Sequence, residues 1–90
     1  MPGDSDYQNL LSDLIKKQMV MLGPAVALSK VRKVTAITCD DSGGVTGISG
    51  DPQLALKALA GEYMALSGQI AQMTLDSLLE KYPAIKKQNP

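Results

Sequence analysis

Apolar residues recur on one face of a helix from Tyr7 onward. Tyr7, Leu10, Leu11, Leu14, Ile15, Gln18, Met19 and Leu22 follow the i, i+3, i+4, i+7 template, with Asp13, Lys16 and Lys17 mostly opposite. Ser5 or Asp6 can cap the start of this helix, and residues 1–5 before it read as flexible. Gly23-Pro24 breaks the pattern, because proline fits the first turn of a new helix and not the interior of an old one. Ala25 to about Arg32 then continues helically.

The period next changes from helical to extended. Val34 to Cys39 is short and rich in β-branched residues, which predicts a strand. Asp40-Asp41-Ser42-Gly43-Gly44 is turn chemistry, and Val45 to Ser49 is a second short strand. The expected product is a β-hairpin, which needs a helix or another strand to lean on, since two strands alone are marginal in water. Gly47 marks a bulge or a close backbone approach.

Asp51-Pro52 is a helix start, with an N-cap carboxylate and proline at the first position. From Pro52 to about Tyr82 the chain reads as one long helix that Pro83 stops, with a flexible basic tail over 84–90. Along that helix Leu56, Leu59, Tyr63, Leu66, Ile70 and Met73 repeat at alternating spacings of three and four, the spacing of a heptad stripe. Small residues Ala58, Gly61, Ala65 and Gly68 run beside it. A helix of this length spans about 45 Å, whereas a globule of this size is only about 30 Å across. Either the helix breaks near Ser67-Gly68 or a second protomer covers the overhang. Apolar residues continue past Gly68, through Ala71, Leu75, Leu78, Leu79 and Tyr82, which favours the second protomer.

Composition narrows the chemistry. The chain has 90 residues, room for a single small domain over 1–90. Nine basic and nine acidic side chains cancel, which argues against nucleic acid as a partner because a polyanion binder needs a basic surplus. There is no His, Phe or Trp, and Cys39 is the only cysteine. No catalytic triad can be assembled, and no catalytic, cofactor-binding or metal-ligating residue is expected. Counted as a calcium loop, the segment from Asp40 has Val45 where the sixth position needs glycine, so the loop reads as a turn. Gly44, Gly47 and Gly50 match neither a phosphate loop nor a dinucleotide fingerprint. Asp40 and Asp41 directly follow Cys39 and oppose thiolate formation, so the cysteine reads as strand filler. Lys30, Arg32 and Lys33, with Lys16, Lys17, Lys86 and Lys87, read as a solvated face. The start of the chain lacks the basic and apolar regions of a secretory signal, and no apolar run reaches membrane length, so a soluble cytoplasmic protein is expected.

These observations predict an α+β, mostly α fold: an N-terminal helix broken at Gly23-Pro24, a short β-hairpin and a long C-terminal helix. The expected function is a small non-catalytic protein-interaction or regulatory module, without cofactors. It homodimerises through Leu56, Leu59, Tyr63, Leu66, Ile70 and Met73, and its hairpin can accept a strand from another protein. The alternative is a small apolar-ligand-binding domain with a pocket between the helices and the hairpin.

Overall fold

A computed structural model of the chain describes residues 4–88. The elements in chain order are α1 (Asp4–Leu22), α2 (Pro24–Lys33), β1 (Ile37–Cys39), β2 (Val45–Ile48), α3 (Pro52–Ser67), α4 (Gln69–Leu79) and α5 (Pro83–Gln88). The fold is a small α+β domain, mostly helical, with one antiparallel hairpin.

The first break falls where the sequence puts it. The Gly23 amide closes α1 on the Met19 carbonyl at 3.0 Å, and Pro24 opens α2. Basic Lys30, Arg32 and Lys33 end α2, where cations favour the negative pole of the helix. The start of α1 differs from expectation. The helix begins at Asp4, so Ser5 is helical rather than flexible, and residues 1–3 lie outside the described residues.

The first strand is shorter than its β-branched run. The Val34 amide turns back to the Val31 carbonyl and the Ile37 amide to the Val34 carbonyl, so residues 34–36 form the exit turn of α2. Val34 is buried there, which uses its apolar side chain without a ladder. The strands pair Ile37 with Ile48, Thr38 with Gly47 and Cys39 with Val45, leaving Thr46 as the extra residue of a bulge. Thr46 returns its hydroxyl to the Thr38 carbonyl across that bulge. The hairpin leans on α1. The Val45 amide donates to the Ser12 hydroxyl at 2.8 Å, and Ile37 and Val45 are buried in the shared core.

The turn is held by one carboxylate. Asp40 Oδ1 accepts from the Ser42 amide, the Ser42 hydroxyl and the Gly44 amide at 3.0, 2.6 and 2.9 Å. These bonds, the Ser42 hydroxyl foremost, hold the Asp40 carboxyl below its ordinary pKa. Gly43 has φ of 88°, which strains any other residue there, and a Cβ would also have to displace the Met19 sulfur 2.7 Å away.

The expected thirty-residue C-terminal helix is instead two helices, α3 and α4. Asp51 caps α3 by accepting from the Gln53 amide at 2.9 Å, with Pro52 at the first position. The helix stops at Gly68, whose φ of 56° and ψ of −124° turn the chain before α4 begins. Only glycine takes that conformation readily. The turn folds α4 back onto α1 and keeps the molecule within 33 × 25 × 17 Å. A straight helix over 52–79 would be about 42 Å long and would not fit.

The tail also differs from expectation. Helix α4 ends at Leu79, short of the expected end at about Tyr82; Pro83 opens α5, and Ile85 is buried in the core. Residues 84–88 are therefore helical, and residues 89–90 lie outside the described residues. Tyr82 fastens this end to α1 by donating its hydroxyl to Asp13 at 3.0 Å. An exposed ion pair between Lys86 and Glu80 spans the α4–α5 corner.

Candidate interaction face

The six residues of the heptad stripe divide between Tyr63 and Leu66, near the end of α3. Leu56, Leu59 and Tyr63 are 1%, 0% and 0% exposed, packed inside their own chain against the faces of α1 and α2. Leu66, Ile70 and Met73 are 47%, 59% and 63% exposed. The expectation that all six form one interface is corrected for the first three. A side chain already covered by its own core is not available to a second protomer. The first three are covered because α3 packs on α1 and α2, whereas Leu66, on the last turn of the same helix, is not; past it the backbone turn at Gly68 gives α4 a different buried face. That face is Ala71, Leu75, Leu78 and Leu79.

Tyr63 anchors the buried half. Its hydroxyl donates to the Ala27 carbonyl of α2 at 2.9 Å in the interior. Burial, with Cys39 nearby, pushes the phenol far above its ordinary pKa. It remains neutral across any physiological pH.

The exposed half borders a groove between α1 and α4. Lys17, Ile70, Met73, Thr74 and Ser77 line a volume of about 340 Å³ there. Val20, one turn beyond Lys17 on α1, is 87% exposed and lines an adjoining groove with Lys17, Asp13 and Leu78. Large apolar side chains exposed singly need no explanation, but Ile70 and Met73 line one groove together. Met21 and Met73 are also exposed, whereas Met19 and Met64 pack partly against the core, so the methionines among the described residues divide between core and surface. The small residues Ala58, Gly61, Ala65 and Gly68 are all exposed, and a Cβ on Gly61 would meet nothing.

The other polar groups serve the fold. Cys39 is free and half-buried. Burial raises its thiol pKa, and Asp40 raises it further against the opposing pull of Arg32, so the thiol stays protonated at neutral pH. Asp40 is engaged by its own turn. Among the described residues no three His, Cys, Asp or Glu side chains gather to hold a metal ion. The grooves beside the hairpin are open to solvent rather than enclosed. One lies between α2 and β1, at about 340 Å³, and another between the α2–β1 turn and α3, at about 380 Å³. Among the described residues no helix is long and apolar enough to cross a membrane.

One residue behaves opposite to its type. Gln18 is 0% exposed, on the same side of α1 as Leu11, Leu14 and Leu22, and neither its amide nitrogen nor its oxygen has a hydrogen-bond partner among the described residues. The periodicity of α1 already places Gln18 inward, but no sequence pattern reveals that its amide goes unpaired. Compared with protein-family models, with curated proteins and with solved structures, the chain matches none of them.

Proposed function

We propose that this chain is a small non-catalytic protein-interaction module that pairs with a second copy of itself through the face flanking the α3–α4 corner. The observation that carries this reading is the exposure of Leu66, Ile70 and Met73, the continuation of a stripe whose first half is core. A standard interface buries about 800 Å² per subunit. These three side chains are therefore its anchors rather than its full extent; Lys17 of α1 lines the same groove as Ile70 and Met73, and Val20 lines the adjoining one. The free, half-buried thiol of Cys39 suits a reducing compartment, in keeping with a cytoplasmic protein.

Sedimentation equilibrium over micromolar to millimolar concentrations tests the reading. The wild-type chain is expected to approach twice its 9.5 kDa mass as concentration rises. Leu66→Glu with Ile70→Glu is expected to abolish that rise while leaving the fold intact, because both residues are exposed in the single chain. A 9.5 kDa species at every concentration would overturn the proposal.

A further inference from the structure

The corner at Gly68 is a single residue set between two helices that are otherwise in register. The Gly68 amide donates to the Met64 carbonyl at 2.8 Å, and the Gln72 amide donates to the Gly68 carbonyl at 3.2 Å. Both are the i to i−4 bonds that a continuous helix would make. What the corner removes is the set between them. The first amides of α4, on Gln69, Ile70 and Ala71, lack a helical acceptor, and Gly68 brings no side-chain cap. Turning Gly68 alone into the helical region would give those amides the carbonyls of Ala65, Leu66 and Ser67. The heptad stripe would then run unbroken from Leu56 to Met73.

A straightened helix cannot stay on its own body. At about 42 Å it exceeds the 33 Å longest dimension of the molecule, so α4 and α5 would leave α1. Ala71, Leu75, Leu78, Leu79 and Ile85 would lose their cover. A second copy in the same state offers the identical α1 surface that they vacate, and the exchange re-forms every contact except the corner. Leu66, Ile70 and Met73, on either side of the corner, are already exposed in the bent chain.

We propose that the dimer forms by exchange. Gly68 is the hinge, α3 and α4 straighten into one helix, and α4 with α5 docks on α1 of a second copy. This rests on the self-association proposed above and specifies its route. The test is a distance within one chain. Spin labels at Leu54→Cys and Glu80→Cys, both exposed, are placed in a Cys39→Ser background and diluted with unlabelled protein. Exchange predicts a separation of about 39 Å in the dimer, longer than the 33 Å body of the bent chain, and a shorter one in the monomer. Gly68→Ala is expected to tighten the dimer on the order of a hundredfold, since alanine resists positive φ and favours helix at both hinges. Inserting Gly-Ser-Gly after Gly68 is expected to hold the chain as a monomer. A dimer with a separation inside the body length, unaffected by the insertion, would overturn exchange and leave self-association standing. Monomers at every concentration, in wild type and Gly68→Ala alike, would overturn both.

Discussion

Two halves of one stripe meet different fates. Leu56, Leu59 and Tyr63 lie before Gly68 and are core, whereas Leu66, Ile70 and Met73 lie after or just before it and face solvent. All six are large, and all six keep the same spacing. Periodicity therefore specifies which side of a helix is apolar, but not what covers it. Leu66 stands on the same helix as the three core residues and is exposed all the same, and past it one backbone conformation redirects the chain. Gly68 ends the phase of α3, and α4 then buries Leu75, Leu78 and Leu79 instead of Ile70 and Met73.

The sharpest way to test that division is to truncate one residue from each half. Leu59→Ala removes a fully buried side chain and is expected to cost about 2–5 kcal/mol. Met73→Ala is expected to stay within about 0.5 kcal/mol in dilute monomer. Urea unfolding checks both, and equal costs would erase the distinction.

Gln18 is the converse of Met73, a polar side chain inside rather than an apolar one outside. Its amide is buried without a partner among the described residues, so Gln18→Leu is expected to stabilise the fold by roughly 1–3 kcal/mol. A loss of stability on that change would mean that the amide is engaged in solution. Tyr63→Phe keeps the ring in the core and removes only the bond to Ala27, for an expected cost of about 1 kcal/mol.

The same variant separates the tyrosine's packing from its titration. Burial raises the folded-state pKa of Tyr7, Tyr63 and Tyr82 above the ordinary 10.0, with Asp51 adding at Tyr7 and Asp13 at Tyr82. The unfolded chain therefore ionises first. The stabilisation held by neutral phenols is complete below about pH 10 and is lost as pH rises from there through the folded-state values. Urea midpoints are expected to be unaffected by the tyrosines at neutral pH and to fall steeply above about pH 10, with Tyr63→Phe removing the largest share. A flat alkaline limb would contradict the buried phenol.

Local chemistry was the most legible part of the fold. Gly23-Pro24, Asp51-Pro52 and the Asp40–Gly44 turn each act through neighbouring backbone amides, so a few residues suffice to announce them. Val34 misleads because its β-branched side chain suits a buried turn as well as a strand. Pro83 misleads because a proline that stops one helix can open the next, and the single apolar Ile85 decides that it does. Gly68 is visible as a weak point in the helix, but its actual conformation depends on α1 offering a surface for α4, which is a long-range fact. For the candidate face, the stripe residues were legible and their division was not. Val20 on α1 joins the face only through the packing of distant segments.

The central claim is that the outer half of the stripe is covered by a second copy while the inner half is already covered. Methyl NMR across a dilution series reads both halves in one sample. The Ile70 and Met73 methyl resonances are expected to move with concentration along with those of Leu66, while the Leu59 methyls stay fixed in the core. Outer methyls that keep the same shifts from dilute to concentrated solution would contradict the claim.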